Sequence, residues 1–187
     1  MPYYTIIAGV NGVGKSSLSG VLKSERNDLG YIIDVDRISI EHNCTAIDAG
    51  KIAIRKINEF LAKNISFSQE TTLSGYRPER TVRQAKGNGY TVRLFYVGLN
   101  SAEESVKRVQ NRAVKGGHSI DATDVERRYG KRFDDLAKVI PYCDEVRFFD
   151  NENGFAEVGE YKNGELIPKG NYKPLWIKEL FECLSRR

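Results

Sequence analysis

Apolar residues along the chain alternate between two rhythms: short β-branched or aromatic runs, and longer stretches in which they recur every three to four positions. Tyr3-Tyr4-Thr5-Ile6-Ile7-Ala8 has the composition of a strand, and Leu18, Val21 and Leu22 then fall on one helical face. Tyr31-Ile32-Ile33 predicts a short second strand ending in Asp34-Val35-Asp36-Arg37, and Ile54, Ile57 and Leu61 mark a helix. Residues 66–70 read as a third strand, followed by a loop through Gly75 and a helix from about Pro78, which suits a first helical position. Asn88-Gly89 turns the chain into residues 91–97, the clearest strand. Ser101 with Glu104 three residues later is a capping box opening a helix that runs to about Ala113.

Lys115-Gly116-Gly117-His118-Ser119-Ile120 has the polar composition of a loop or lid. A strongly charged helix follows from about Asp121 to Val139, stopped by Pro141, and residues 144–150 give the fifth strand. Residues 154–167 predict a β-hairpin turning at Asn163-Gly164, and Trp176, Leu180 and Leu184 give a last amphipathic helix. Strands alternating with helices imply an α/β three-layer sandwich. Its sheet is expected to be mostly parallel and five-stranded, with a helical lid over residues 113–132 and a C-terminal hairpin plus helix over residues 154–185. No linker stands out, so residues 1–187 are read as one domain.

Between the first strand and the first helix lies Gly9-Val10-Asn11-Gly12-Val13-Gly14-Lys15-Ser16, a full G-x-x-x-x-G-K-[ST] match in the strand-to-helix context that a P-loop requires. Glycines let the backbone wrap a polyphosphate so that successive N–H groups and the helix N-terminus point at it. Gly9, Asn11, Gly12, Val13, Gly14, Lys15, Ser16 and Ser17 are therefore the expected nucleotide-binding residues. Lys15 would reach the β- and γ-phosphates, and Ser16 would ligate Mg²⁺.

No later strand shows the four-apolar-then-Asp pattern of motor and signalling NTPases, while two strands end in carboxylates. Strand carboxyl ends line the ligand crevice of such sheets, which brings Asp34, Asp36 and Glu70 near the γ-phosphate. Asp36 is the expected base toward an acceptor hydroxyl, with Asp34 alternating to the opposite side. Both could instead cap the segment that follows or pair with Arg37. Glu70-Thr71-Thr72 offers a carboxylate and two hydroxyls to the acceptor or to metal-bound water, although Glu70 could also pair with Arg77 or Arg80. Arg108 and Arg112 are four apart, as are Arg128 and Arg132, so each pair is expected to share a face able to close over phosphates. The competing expectation is intrahelical pairing of Glu104 with Arg108 and Asp124 with Arg128.

Net charge is +4, favourable for anionic substrates, but no concentrated Lys/Arg run or stacking motif points to nucleic acid. Three scattered cysteines, Cys44, Cys143 and Cys183, argue against a disulfide framework or a zinc site. No apolar run reaches the length of a membrane span and no secretory signal is evident, so the expected location is the cytoplasm, without a membrane partner.

Together, residues 9–17, Ile33-Asp34-Val35-Asp36-Arg37, Glu70-Thr71-Thr72-Leu73-Ser74-Gly75, Gly116-Gly117-His118 and Glu126-Arg127-Arg128-Tyr129-Gly130-Lys131-Arg132-Phe133-Asp134-Asp135-Leu136 resemble the zeta-toxin family of P-loop kinases, over about residues 5–151. The resemblance implies a P-loop kinase-like fold and ATP with Mg²⁺ as cofactors. It implies Asp36 as base on a sugar hydroxyl, with Glu70 and Thr72 as acceptor contacts. Arg128 and Arg132 would lie on the ATP phosphates, and Asn151 where the adenine would sit. It also implies a small-molecule acceptor, which in some members is UDP-N-acetylglucosamine, and an antitoxin partner if the chain is a toxin. A polynucleotide or nucleoside kinase, and a nucleotide-binding regulator or ATPase without acceptor, remain open alternatives.

Overall fold

A computed structural model describes residues 1–114, 120–152 and 154–186. Its centre is β1 (Tyr3–Ala8), flanked by β3 (Phe67–Thr71) and β4 (Thr91–Gly98), with β2 (Tyr31–Ile33) outside β3 and β5 (Glu145–Asp150) outside β4, all parallel. Because side chains alternate across a strand, Ile6 enters one core with Ile57, Leu94 and Trp176, while Ile7 enters another with Leu18, Phe95 and Val97. Burial on both faces is why the first and fourth strands read as nearly continuous apolar runs.

The hairpin does not stand apart from the sheet. β6 (Ala156–Lys162) pairs antiparallel with β5, and β7 (Glu165–Pro168) with β6, so the sheet has seven strands in the order β2-β3-β1-β4-β5-β6-β7 rather than the five expected. An edge left at β5 would expose unpaired backbone groups, and the hairpin satisfies them. Asn163 (φ 54°) and Gly164 (φ 85°) take the positive angles that its tight turn demands.

Among the described residues seven α-helices cover the sheet: α1 (Lys15–Glu25), α2 (Val35–Glu41), α3 (Ala46–Lys63), α4 (Arg77–Gly87), α5 (Ala102–Val114), α6 (Ala122–Val139) and α7 (Leu175–Ser185). Ser101 caps α5 as the capping box predicts, its Oγ accepting from Glu104 N at 3.1 Å. One boundary matters for function. The second strand stops at Ile33, and Asp34 caps α2 by accepting from Asp36 N at 2.9 Å. Asp34 and Asp36 therefore belong to a helix start, and strand alternation does not separate them. The expected lid loop, with Lys115, Gly116, Gly117, His118 and Ser119, lies outside the described residues.

Candidate active site

At the carboxyl ends of β1, β2 and β3 a cavity of about 710 Å³ opens, floored by Gly12, Gly14, Lys15, Ser16 and Ser17. The loop beneath it is tightly cornered. Gly9 sits at φ 149°, where a Cβ would collide with the Val97 carbonyl, and Gly14 is left-handed at φ 97°, where a Cβ would overlap the Asn151 amide. Helix α1 begins at Lys15, directing its positive end into the cavity. Lys15 Nζ donates to the Gly9 and Val10 carbonyls, each at 3.0 Å. Burial pushes its pKa down to about 8 despite the attraction of Glu70, Asp36 and Asp34. An ammonium so poorly solvated gains from a polyanion placed beside it.

One wall of the cavity is acidic. Glu70, at the end of β3, accepts from Ser16 Oγ at 2.7 Å and Ser19 Oγ at 2.6 Å, and is not paired with Arg77 or Arg80. Burial raises the Glu70 pKa above the usual carboxylate range, and burial together with the neighbouring Asp36 does the same for Asp34. Asp34 and Asp36 both line the cavity, contrary to the expected separation, because the helix start at Val35 turns the chain over the opening. Thr72 lines it too, its hydroxyl donating to Ser74 Oγ at 3.1 Å, as do Gln69 and Thr71.

The wall from α5 and α6 is mainly basic, with Arg108, Arg112 and Arg128, joined by Asp121 and Asp124 at the start of α6. Arg112 pairs with Asp36 across the cavity at 3.3 Å, joining the two walls. Arg128 donates to Asn11 Oδ1 in the P-loop at 3.1 Å. Arg108 bonds Glu104 at 2.7 Å, as its spacing predicts, and also donates twice to the Asn151 carbonyl at 3.2 Å. Asp124 pairs with Arg127 rather than with Arg128, which leaves Arg128 turned to the cavity.

Two expected positions fall elsewhere. Arg132 does not share the cavity face with Arg128: its guanidinium lies over the Tyr129 and Phe133 rings and donates to the Tyr129 carbonyl and to Glu179 of α7. Four residues advance a helix by slightly more than one turn, which moves Arg132 along the axis and around toward α7. Asn151 is not on the cavity wall but props the P-loop, its amide donating to the Val13 carbonyl at 2.9 Å. Gly9 and Val13 also stand behind the wall. Beside Arg108 a smaller cavity of about 300 Å³ is lined by Leu99, Asn100, Ser101, Glu104, Asp150 and Glu152.

Sequence reasoning missed Ser19, Gln69, Asp121 and Asp124. Only Ser19 carried a signal, lying three residues after Ser16 on the same helical face. Among the described residues no group of three His, Cys, Asp or Glu side chains could hold a metal ion. The Ser16–Glu70 pair beside the phosphate loop does fit a cation such as Mg²⁺, which binds through one or two protein oxygens and completes its shell with water and phosphate.

A model of the zeta toxin family matches residues 1–153. An uncharacterized protein of Haemophilus influenzae is 35% identical over 126 residues, 65% of this chain and 88% of that protein. Among solved structures, the PezAT chromosomal toxin-antitoxin system of Streptococcus pneumoniae matches with TM-score 0.65 and 15% identity over 100% of this chain and 85% of that one. The native AvrRxo1-ORF1:-ORF2 complex matches with TM-score 0.69 and 17% identity, and the AvrRxo1-ORF1:-ORF2 structure with ATP with 0.67 and 16%. In both, 99% of this chain is covered and it spans 64% of the matched chain. These structures share the fold. No helix among the described residues is long and apolar enough to cross a membrane. The family match runs through most of the chain, including the P-loop and both walls of the cavity, and the chain belongs to the zeta toxin family, whose members are ATP-dependent kinases.

Proposed function

We propose that this zeta toxin family member moves the γ-phosphate of ATP to a hydroxyl of a small, polyhydroxylated acceptor, a sugar nucleotide such as UDP-N-acetylglucosamine being the first to test. The observation that carries the reading is the division of one cavity into a guanidinium wall and a carboxylate wall above the P-loop lysine, with Asp36 and Arg112 meeting across it.

In this reading the P-loop amides, Lys15 and the α1 N-terminus hold the β- and γ-phosphates, while Arg112 and Arg128 neutralise charge spread over the transferring group. Arg108 and the Asn151 turn support the nucleoside side of the site. Ser16, with Glu70, would hold Mg²⁺, which supplies charge neutralisation between the phosphates. Asp36 accepts the proton of the acceptor hydroxyl, and Glu70 and Thr72 orient that acceptor. Asp34, whose pKa burial and the neighbouring Asp36 raise, can exchange hydrogen bonds with a sugar hydroxyl.

The sheet running without a break from β2 to β7 supports treating residues 1–187 as one functional unit. Supply of ATP supports a cytoplasmic location, and the likeness to a toxin-antitoxin system supports an antitoxin as partner. The deciding experiment offers sugar nucleotides, nucleosides and oligonucleotides with ATP and Mg²⁺ and reads the acceptor by mass spectrometry. Gain of one phosphate on a sugar nucleotide is expected. Phosphate release without any modified acceptor would return the protein to an ATPase or regulator, and modification of oligonucleotides alone would make it a nucleic-acid kinase.

A further inference from the structure

Residues 154–186 lie beyond the region matched by the family, yet they make specific polar contacts with the loops that hold the nucleotide side of the site. Trp176 of α7 is fully buried, and its indole N–H donates to Asp150 Oδ1 at 2.7 Å. The other oxygen of that carboxylate accepts from Glu152 N at 3.0 Å, which shapes the turn containing Asn151. Asn151 in turn binds the Val13 carbonyl in the P-loop and receives Arg108. Trp176 N also donates to Asn100 Oδ1 at 3.3 Å, while Asn100 and Tyr172 both donate to Glu152 Oε2. The loops leaving β4 and β5 are thus tied to each other and to the start of α7. Gly98 makes room for this, since a Cβ there would overlap the Trp176 ring.

The second tie acts on α6. Glu179 accepts from Arg132, whose guanidinium lies against Tyr129 and Phe133, and Tyr129 OH donates to the Leu99 carbonyl at 3.0 Å. Arg128, one turn earlier on α6, reaches Asn11 in the P-loop. The carboxylate from α7 therefore grips α6 one turn after Arg128, on a helix already seated by Val125, Phe133 and Leu136. A side chain fixed by such contacts before binding need not be ordered when the nucleotide arrives.

We propose that α7 is a positioning element of the kinase: Glu179, through Arg132, aims Arg128, and Trp176, through Asp150, sets the Asn151 turn, so that the C-terminal helix tunes ATP affinity without touching the nucleotide. This rests on the nucleotide-site reading given above. Loss of the Glu179 tie leaves the two apolar cores in place but frees one wall of the ATP site, whereas the Trp176 tie runs from a side chain that belongs to a core.

The test uses the full chain with Glu179→Gln, Glu179→Asp, Trp176→Phe and, as a control on the exposed face of α7, Phe181→Ala. ATP affinity is measured by calorimetry without acceptor, alongside thermal midpoints and the split between kcat and KM. Glu179→Gln, which removes the charge but keeps an acceptor, and Trp176→Phe, which removes the N–H donor, are each expected to weaken ATP binding about five- to tenfold, the scale of one net hydrogen bond. For Trp176→Phe, KM for ATP should rise more than kcat falls, while Glu179→Gln, acting through Arg128, should lower kcat as well. Glu179→Asp should recover most of the affinity, and Phe181→Ala should match wild type. Folded Glu179→Gln and Trp176→Phe proteins with wild-type ATP affinity would overturn the proposal, as would lowered thermal midpoints with unchanged affinity. If Trp176→Phe does not fold, Glu179→Gln, at a half-exposed partner, decides alone. Wild-type protein that fails to bind ATP at all would instead overturn the nucleotide-site reading itself.

Discussion

The two walls of the cavity differ in how their charges are held. On the acidic side, Asp34 receives the backbone of Asp36 two residues on, and Glu70, seated in β3, receives the hydroxyls of Ser16 and Ser19 on α1, so both carboxylates are held by groups on short side chains or the backbone. On the basic side, Arg108, Arg112 and Arg128 reach in from helices that belong to the outer layer, and each is anchored by a residue far away in sequence: Asn151, Asp36 and Asn11. A carboxylate on a short side chain at a strand end is placed by the sheet itself. An arginine on a long side chain is placed only as well as its helix is. Chemistry that must discriminate one hydroxyl suits the rigid wall, and charge neutralisation that must follow a moving phosphoryl group suits the adjustable one.

The sharpest break of this comparison is removal of the charge both walls share. Lys15→Ala should abolish transfer, with loss of about 10³-fold or more, and weaken nucleotide binding, read by steady-state kinetics and calorimetry. Normal turnover in that variant would end the P-loop enzyme reading. Next comes the acidic wall: Asp36→Asn should keep ATP affinity nearly intact and cut transfer by about 10² to 10⁴, the usual scale for a lost general base, whereas Asp34→Asn should do less. If Asp34 proves to be the indispensable member, the two carboxylates exchange roles.

The basic wall should respond differently. Arg112→Ala and Arg128→Ala are expected to lower kcat by about 10² with a smaller rise in KM for ATP, and Arg127→Ala, an exposed side chain that does not line the cavity, should have little effect. Equal small effects for all three would reduce these residues to ordinary helix ion pairs. The smallest expected effect concerns pH. With its pKa pushed down to about 8, Lys15 is charged below that value and loses its charge above it. Since phosphate favours the ammonium, ADP affinity measured in a metal chelator should be flat below pH 7 and fall about tenfold by pH 9, with proton uptake on binding in that interval. Affinity that rises through this interval would contradict the assignment.

Part of this site is legible in the chain because its signals are local. The P-loop needs glycines and a lysine at fixed offsets within one strand-to-helix turn, and Asp34, Asp36, Glu70 and Thr72 follow from where strands end. Elements with a complete local pattern, such as the Asn163-Gly164 hairpin and the Ser101 cap, appear where the pattern puts them. Asp34 and Asp36 show the limit of that reading. A strand that ends one residue early hands its last carboxylate to a helix cap, and the face predicted by alternation no longer applies.

By itself, then, the amino-acid sequence determined the phosphate loop, the alternation of strands and helices and the identity of the residues at the cavity's acidic edge, since each depends on neighbours within a few positions. Tertiary structure alone decided the rest. Arg128 and Arg132 have equivalent spacing to Arg108 and Arg112, yet Arg132 turns to Glu179 because α7 packs against that side of α6. Asn151 became a prop for the P-loop because the turn after β5 lies against Gly14, and the hairpin joined the sheet because β5 had an edge to complete. Which way a long side chain points, and which edge a strand satisfies, are set by elements far along the chain whose arrival no local pattern records.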